Sequence, residues 1–317
     1  MNPAEPTGVD DVPADFRSGF VALIGRPNVG KSTLLNALVG ETVAIATHRP
    51  QTTRTRLRGI VHRSAAQIVF VDTPGFHQRE QAINRFMLNE AQAALGDVDL
   101  VVLLVEADGR GRTPEDEPED RLVLEALRKS ALPALLAVNK IDRLDDKASL
   151  LPILQAYAGL DLFEELMPIS ALKQDGLEPL MAAIESRLPQ GPAYFPEDMI
   201  TDQPERLLAA EFIREKAILR VGDEVPYSLA VEVESFEDMP GKQSMVGINA
   251  LIYVERDSQK GILIGKGGKT LRDIGQAARL AIEGLLQCRV HLELRVKVAK
   301  RWSHTMAGLR RVGYDDA

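Results

Sequence analysis

Short apolar runs alternate with stretches of helical spacing from Phe20 to about Pro189. We interpret five of these runs as strands, at Phe20–Ile24, Gln67–Val71, Asp99–Glu106, Leu132–Val138 and Leu166–Ile169. Their central positions are apolar on both faces, which is typical of parallel strands covered by helices on each side. Arg58–His62 is predicted to pair with Gln67–Val71 as an antiparallel edge strand. The pattern therefore predicts an α/β domain with a mostly parallel sheet and helices on both faces.

The pattern changes after a proline-rich segment at residues 188–196, which is typical of a linker. Beyond it we predict the order α-β-β-α-α-β, with elements at Glu205–Arg220, Ser228–Phe236, Ser244–Val254, around Lys260, Leu271–Gln287 and Arg289–Val298. We expect a flexible acidic extension at 1–16, an α/β domain at 17–189, a linker at 190–201 and an α+β domain at 202–317.

The composition excludes several classes of protein. The net charge is −8, so the whole chain is not a simple polycation that coats nucleic acid. Cys288 is the one cysteine, so an intrachain disulfide is impossible, which fits a reducing cytoplasm. The longest aliphatic run, Leu100–Val105, is far shorter than the ~20 residues that a membrane helix needs. The N-terminus lacks the basic and then apolar pattern of a signal peptide.

Residues 25–32 read G-x-x-x-x-G-K-S between a predicted strand and a predicted helix. In such a loop the glycines let backbone N–H groups point at phosphate oxygens, and the helix N-terminus favours their negative charge. Lys31 is expected to reach the β- and γ-phosphates, and Ser32 is expected to hold Mg²⁺. The other nucleotide-binding residues expected in this stretch are Gly25, Asn28, Gly30 and Thr33. A glycine-rich turn with a chance lysine is the alternative, and the flanking strand and helix argue against it.

The stretch Asn139-Lys140-Ile141-Asp142 directly follows another predicted strand and discriminates between bases. The Asp142 carboxylate can accept hydrogen bonds from guanine N1–H and from its exocyclic amino group, whereas adenine presents an acceptor at N1. We expect Asn139 to connect the loops of the site and the stem of Lys140 to cover one face of the base. Ser170 and Ala171, after the last predicted strand, are expected to contact guanine O6 through the backbone.

Asp72-Thr73-Pro74-Gly75 also follows a strand and has the pattern D-x-x-G. We expect Asp72 to hold Mg²⁺ through water and the Gly75 N–H to sense the γ-phosphate. A threonine between this motif and the P-loop would complete the Mg²⁺ site, and we choose Thr53 ahead of Thr52. The catalytic candidates are Lys31, Thr53, Asp72 and Gly75, and the expected Mg²⁺ ligands are Ser32, Thr53 and Asp72. Together these elements predict a GTPase that works by positioning and electrostatics.

Phe76 follows Gly75 at the position where Ras-like GTPases place a glutamine that orients water. A phenyl ring cannot hydrogen-bond water, and neither His77 nor Gln78 is an obvious substitute. We therefore predict that unaided hydrolysis is slow.

Gly265-Lys266-Gly267-Gly268 lies between two predicted helices of the second domain. This G-x-x-G arrangement within α-β-β-α-α-β looks like a type II KH domain, whose loop clamps the backbone of single-stranded nucleic acid. Residues 258–311 carry twelve Lys/Arg against three Asp/Glu, whereas residues 201–257 carry six against twelve. We therefore predict an RNA-binding face, formed by Gly265, Lys266, Gly267, Gly268, Lys269 and Arg272. Trp302 offers a ring for base stacking or is an edge residue of the core.

From about Phe20 to the C-terminus, the chain resembles the Era family of bacterial ribosome-assembly GTPases. The likeness rests on G-R-P-N-V-G-K-S-T-L-L-N at 25–36, P-Q-T-T-R at 50–54, D-T-P-G at 72–75, N-K-I-D at 139–142, F-P-E-D-M-I-T-D-Q-P at 195–204 and I-G-K-G-G-K at 264–269. The resemblance implies a slow GTPase that uses GTP/GDP and Mg²⁺. It also implies binding to the 3′ end of 16S ribosomal RNA and assistance in maturation of the small (30S) ribosomal subunit.

The resemblance further implies K⁺ held at Asn28 beside the phosphates, in place of an arginine finger. It implies a protein of the cytoplasm that contacts the inner face of the cell membrane peripherally. We further expect a monomer that does not bind DNA. The alternative is a GTP-regulated RNA-binding or membrane-associated signalling protein that is not dedicated to the ribosome. A purely RNA-binding module with a structural nucleotide pocket is disfavoured, because such a pocket would not need Thr53.

Overall fold

The structure is a computed structural model, and it describes residues 15–47, 52–75, 81–107, 114, 118–221, 225, 228–239 and 245–314. Residues 1–14 of the predicted acidic extension lie outside these ranges, as do Phe76, His77 and Gln78.

The first half of the chain forms a six-stranded sheet in the order β2-β3-β1-β4-β5-β6. All neighbouring strands are parallel except β2 and β3, which are antiparallel as predicted for an edge pair. The strands are β1 (Arg17–Ile24), β2 (Leu57–His62), β3 (Ala66–Asp72), β4 (Leu100–Glu106), β5 (Ala134–Asn139) and β6 (Glu165–Pro168).

Helices cover both faces of this sheet. They are α1 (Lys31–Val39), α2 (Ala82–Ala94), α3 (Pro118–Ser130), α4 (Leu150–Ala158) and α5 (Leu177–Glu185). Successive side chains of a strand point to opposite faces. Val21 and Leu23 accordingly belong to one apolar cluster, and Ala22 and Ile24 belong to the other. Both clusters lie under helices, so the parallel strands β1, β3, β4 and β5 are apolar through their centres, and the predicted α/β class is confirmed.

The second half forms a three-stranded sheet in the order β7-β8-β9, with β7 antiparallel and β9 parallel to β8. Its elements are α6 (Glu205–Arg220), β7 (Ala230–Asp238), β8 (Met245–Val254), α7 (Asp257–Ile264), α8 (Lys269–Leu286), β9 (Arg289–Val298) and α9 (Met306–Arg311). Ile213 of α6 and Ile274 of α8 share one apolar cluster with Ile252 of β8. The predicted α-β-β-α-α-β order is confirmed, and α9 is an additional element.

The proline-rich segment between the two sheets is docked along β2. The Ile60 N–H donates to the Ile200 carbonyl oxygen at 2.8 Å, which extends the edge strand. The fully buried Gln67 side chain accepts from the N–H groups of Tyr194 and Phe195 at 2.6 and 3.0 Å and donates to the Phe195 carbonyl at 2.7 Å. The linker therefore has a defined path on the first domain.

Within the described ranges, no helix combines the length and apolarity needed to cross a bilayer. Cys288 is half-buried and reduced.

Candidate functional site

A cavity of about 580 Å³ opens at the carboxyl ends of the parallel strands. Ligands of open α/β sheets bind at this edge. Its lining includes eleven of the residues proposed from the sequence, namely Asn28, Gly30, Lys31, Ser32, Thr33, Thr53, Gly75, Asn139, Lys140, Asp142 and Ala171. The remaining three, Gly25, Asp72 and Ser170, lie directly behind this lining, and the last two are at most 1% exposed.

The P-loop takes a conformation that only glycine tolerates at two positions. Gly25 has a φ of 149°, and a Cβ there would lie 2.4 Å from the Leu104 carbonyl oxygen. Gly30 has a φ of 107°, and a Cβ there would lie 2.3 Å from Nδ2 of Asn139. These glycines therefore let the loop approach both the sheet and the base-binding side of the cavity.

Lys31 lies inside the curled loop at the start of α1. Its Nζ donates to the carbonyl oxygens of Gly25 at 2.9 Å and Arg26 at 3.1 Å. Burial lowers the pKa of Lys31 to about 8, with the negative charge of Asp72 opposing that shift. The ammonium group is thus desolvated beside the P-loop, where an added phosphate would restore its preference for the charged form.

Three oxygen-bearing side chains converge next to Lys31. The Ser32 hydroxyl donates to Oδ2 of Asp72 at 2.7 Å, and Thr53 Oγ1 lies 2.9 Å from Ser32 Oγ and 3.1 Å from the same Oδ2. Burial raises the pKa of Asp72, and the charge of Lys31 counteracts this. Oδ1 of Asp72 is buried and has no hydrogen-bond partner among the described residues.

This cluster fits Mg²⁺ in its donor chemistry. Mg²⁺ prefers hard oxygen ligands and is commonly bound through one carboxylate together with waters and phosphates. Within the described part of the chain, no three His, Cys, Asp or Glu side chains gather around a common point. The orphaned oxygen of Asp72 and the two hydroxyls are therefore suited to a shared metal site completed by a phosphate ligand.

At the opposite end of the cavity, Asn139 at the end of β5 connects the P-loop to the loop that follows β6. Its Nδ2 donates to the Val29 carbonyl oxygen at 2.8 Å, and its Oδ1 accepts from the Ala171 N–H at 2.9 Å. The Ser170 hydroxyl donates to Oδ1 of Asp142 at 2.5 Å. This side chain of Ser170 therefore orients the carboxylate, a role that the sequence analysis did not assign to it.

Lys140 has a φ of 69°, in the left-handed region that is strained for a side-chain-bearing residue. This backbone geometry turns its side chain across the cavity, where Nζ donates to the Asn28 carbonyl oxygen at 2.6 Å. The same ammonium group lies 3.0 Å from Oε1 of Glu106, which also pairs with Arg143 at 3.0 Å. Sequence reasoning missed Glu106, although its place at the end of β4 was a usable signal.

Gly75 lies against the P-loop. A Cβ at this position would be 2.7 Å from Cγ of Pro27 and 2.9 Å from its nitrogen. Glycine is therefore needed for the close approach of the D-x-x-G motif to the P-loop. The prediction about water positioning at Phe76 concerns residues outside the described ranges, and it stays a prediction.

The G-x-x-G loop connects α7 to α8 in the second domain. Gly265, Gly267 and Gly268 have φ values of 69°, 60° and 75°. A Cβ on Gly265 would lie 2.1 Å from Oγ1 of Thr270, whereas nothing lies within 4 Å of a Cβ on Gly267 or Gly268. The first glycine is thus required by packing and by conformation, and the other two by conformation in an open loop.

The basic side chains beside this loop are exposed, and one of them also contacts the loop backbone. Lys266 and Lys269 are exposed. Arg272 is also exposed, and it donates to the carbonyl oxygen of Gly267 at 2.9 Å, so its side chain additionally supports the loop from α8. Trp302 is 1% exposed and its indole N–H donates to the Ser228 carbonyl at 2.9 Å, which makes it a core residue and excludes base stacking in this conformation.

These features define the class of protein, a P-loop GTPase domain followed by a KH domain. The family model of the 50S ribosome-binding GTPases matches residues 20–140, and that of the KH domain matches residues 224–303. GTPase Era of Geobacter metallireducens is 49% identical over 299 residues, covering 94% of this chain and 98% of that protein. GTPase Era of Clostridioides difficile is 44% identical over 301 residues, covering 95% and 99%. The chain therefore belongs to the Era family of GTPases.

Two solved structures are similar over the same extent. A crystal structure of Era in complex with MgGDPNP and nucleotides 1506–1542 of 16S ribosomal RNA has a TM-score of 0.89 and 37% identity, and it covers 94% of this chain and 99% of that one. A variant of Aquifex aeolicus Era bound to GDP and AlF₄⁻ has the same TM-score and coverage.

Proposed function

We propose that this chain is a Mg²⁺-dependent GTPase that binds the 3′ end of 16S ribosomal RNA through its KH loop and assists maturation of the small ribosomal subunit. The observation that carries the proposal is the match of both domains together to Era bound to MgGDPNP and nucleotides 1506–1542 of 16S ribosomal RNA. The cavity and the G-x-x-G loop give that match a physical basis in this chain's own residues.

At the phosphate end, the loop from Gly25 to Ser32 surrounds the β- and γ-phosphates with N–H groups, and Lys31 neutralises their charge. Ser32, Thr53 and Asp72 hold Mg²⁺, which draws charge from the phosphates as the bond to the leaving oxygen breaks. We expect the Gly75 N–H to contact the γ-phosphate, because Gly75 lines the cavity and packs against Pro27 of the P-loop.

At the base end, Asp142 accepts from guanine N1–H and from the exocyclic amino group. The hydroxyl of Ser170 keeps that carboxylate in place. The stem of Lys140 covers one face of the base, since its ammonium group is anchored between Asn28 and Glu106. This arrangement selects guanine because an adenine would leave the carboxylate opposite an acceptor.

Hydrolysis in this site depends on positioning and electrostatics. Water attacks the γ-phosphorus, the bond from phosphorus to the β–γ bridging oxygen breaks, and GDP and phosphate leave. We expect the unaided rate to be slow, because the sequence places Phe76 where related GTPases use a glutamine.

K⁺ beside the phosphates is part of the same proposal. Asn28 supports it, since this residue of the P-loop lines the cavity. A cation there would supply positive charge during phosphoryl transfer. Hydrolysis should be faster in K⁺ than in Na⁺ at equal ionic strength, and equal rates would remove the role of K⁺.

The KH loop is the RNA-binding element. Its open glycines admit a phosphate backbone, and the exposed Lys266 and Lys269 provide charge. We propose a monomer that acts in the cytoplasm and has no DNA target. Peripheral membrane contact and a signalling role outside the ribosome stay predictions of the sequence analysis.

The decisive experiment tests whether the protein is a switch in which the bound nucleotide controls RNA affinity. It compares RNA binding in the presence of GDP with RNA binding in the presence of GDPNP. The probe is a labelled RNA with the sequence of nucleotides 1506–1542 of 16S ribosomal RNA, and the control is a scrambled RNA of equal length at the same salt concentration. Tighter binding of the specific RNA with GDPNP supports a nucleotide-controlled switch. Equal binding with both nucleotides would contradict the switch, and equal binding of both RNAs would contradict the RNA target.

A further inference from the structure

Thr53 lies at the nucleotide site while both of its neighbours are held by the second domain. The Thr53 hydroxyl is within hydrogen-bonding distance of Ser32 and Asp72. On one side of it, the carbonyl oxygen of Thr52 accepts a hydrogen bond from Nη2 of Arg214 in α6. On the other side, the Arg54 side chain extends into the second domain. Three consecutive residues thus connect the proposed Mg²⁺ site to the second domain.

The guanidinium group of Arg54 is enclosed by the second domain, and the residue is 1% exposed. Its Nη1 donates to the Leu229 carbonyl oxygen at 2.7 Å and to the Tyr314 hydroxyl at 3.1 Å. Its Cζ lies 5.5 Å from the centre of the Trp302 ring and 5.7 Å from that of Tyr314. These contacts combine two hydrogen bonds with two cation–π interactions.

The partners of Arg54 are joined to the sheet that supports the RNA loop. Leu229 directly precedes β7, and the Trp302 indole donates to the carbonyl oxygen of the preceding residue, Ser228. β9 pairs with β8 over its whole length, and α7, which leads into the G-x-x-G loop, follows β8. Paired strands and direct contacts therefore connect the G-x-x-G loop to the residues that hold Arg54.

Burial makes the Arg54 contact conditional on domain docking. A guanidinium group taken out of water requires protein groups in place of its hydration shell. Here the second domain supplies those groups, as Leu229, Trp302 and Tyr314. When that domain moves away, water takes over their role and the constraint on the adjacent backbone is lost. The placement of Thr53 and the docking of the second domain are thus linked.

We propose that Arg54 is a positioning residue that couples the two sites. Docking of the second domain on Arg54 sets the position of Thr53 at the Mg²⁺ and γ-phosphate, and it thereby makes RNA affinity depend on the bound nucleotide. The inference rests on the proposed function, because it requires a GTP site and an RNA site in one chain. Coupling between binding sites is reciprocal, so the same contact transmits the effect of RNA on GTP binding.

The test uses the full-length chain and the 1506–1542 RNA probe at fixed salt. The coupling factor is the RNA Kd with GDP divided by the RNA Kd with GDPNP. Arg54→Ala should keep the GDP-state RNA affinity within about twofold of wild type while its coupling factor falls close to unity. Arg56→Ala is the matched control, because Arg56 belongs to the same segment but pairs with Glu90 of the first domain at 3.2 Å. This control should keep the wild-type coupling factor.

A folded Arg54→Ala protein that retains the wild-type coupling factor overturns the inference. A wild-type protein with equal RNA affinity in both nucleotide states has a different meaning, because it overturns the proposed switch itself and this inference with it. The two failures are distinguishable, since the first is seen only in the variant.

Arg54→Lys provides the same test if the alanine variant does not fold. Lysine keeps the charge but lacks the fork that reaches both Leu229 and Tyr314, so the coupling factor should again fall. The double variant Thr53→Ala/Arg54→Ala separates positioning from general stabilisation. If Arg54 acts through Thr53, its loss changes the coupling factor no further on the Thr53→Ala background, and additive losses overturn the inference.

Discussion

The side-chain amide of Asn139 donates to the carbonyl oxygen of Val29 at 2.8 Å and so joins the end of β5 to the P-loop. The oxygen of the same amide accepts from the Ala171 N–H at 2.9 Å. One buried side chain therefore fixes the P-loop and the loop after β6 relative to each other.

We expect Asn139→Ala to weaken GDP and GDPNP binding equally, by about tenfold or more, because each buried group left without a partner costs about 1–3 kcal/mol. Isothermal titration calorimetry with both nucleotides measures this. Asn249→Ala is the control, since Asn249 donates to Ser235 in the second sheet at 2.7 Å. A loss confined to GDPNP would contradict a role in joining the loops.

Asp142→Asn should exchange the base preference. An asparagine can donate an N–H where the carboxylate only accepts, so it matches the C2 carbonyl of xanthine and opposes the amino group of guanine. We expect GDP affinity to fall by about a hundredfold or more and XDP affinity to rise. Competition binding with both nucleotides tests this, with Asp145→Asn as an exposed control outside the cavity lining. Parallel losses for GDP and XDP would contradict base recognition by Asp142.

Nucleotide binding should take up a proton at alkaline pH. The pKa of Lys31 is lowered to about 8 in the free protein, so above this pH the side chain is mostly neutral. A bound phosphate favours the ammonium form, so binding raises that pKa and consumes a proton at pH about 9 but hardly any at pH about 7. GDP affinity should accordingly fall as the pH rises through 8.

Calorimetry of GDP binding without Mg²⁺, in two buffers of different ionisation enthalpy, gives the number of protons taken up. Lys31→Arg is the control, because a guanidinium group stays charged at this pH. Proton uptake of equal size in the variant would exclude Lys31 as its source.

Gly268→Asp should abolish most RNA binding and leave nucleotide binding intact. Aspartate and asparagine tolerate a left-handed φ such as the 75° of Gly268 better than most side chains do, and a Cβ there would meet nothing within 4 Å. We therefore expect either substitution to strain the loop only locally and to keep the fold. The charge of the aspartate then repels the RNA backbone, and we expect a loss of about tenfold or more. Gly268→Asn has the same shape without the charge and should lose less. Fluorescence anisotropy at fixed salt compares them, and equal losses would point to loop distortion instead.

Gln67→Leu should detach the linker without touching the nucleotide site. The change leaves the N–H groups of Tyr194 and Phe195 without their acceptor, and we expect a loss of about 1–3 kcal/mol in the free energy of unfolding. Urea denaturation measures it, and limited proteolysis should cut within 190–203. Gln155→Leu on the exposed side of α4 is the control. Unchanged proteolysis would show that Gln67 does not hold the linker.

The proposed nucleotide-binding residues could be named from the sequence because each of them belongs to a short motif whose local geometry positions it. Strand, glycine loop and helix bring Lys31 and Ser32 to one place by short-range geometry alone. Asp72 and Asp142 follow parallel strands, and such strands all end at one edge of a sheet. The alternation of apolar runs and helices was likewise enough to predict the α/β class and the second α+β domain.

Other roles depended on the tertiary structure. Nothing in the sequence around Arg54 indicates its partners, yet it is buried against Tyr314, 260 positions away along the chain. From the sequence, Trp302 was either a ring for base stacking or an edge residue of the core, and its burial shows that it belongs to the core. Gln67 was an ordinary strand residue until the linker was seen to dock on it.

The physical reason is the range of the interactions. Periodicity and turn chemistry record what a residue needs from its neighbours in sequence, so they determine elements and the motifs at their ends. A buried cation or amide is determined by the partner that replaces its water, and that partner comes from whichever distant segment the packing brings close. The sequence by itself therefore determined the two fold classes and the motif residues that we propose for each site. Only the tertiary structure decided that Arg54 and its partners join one site to the other.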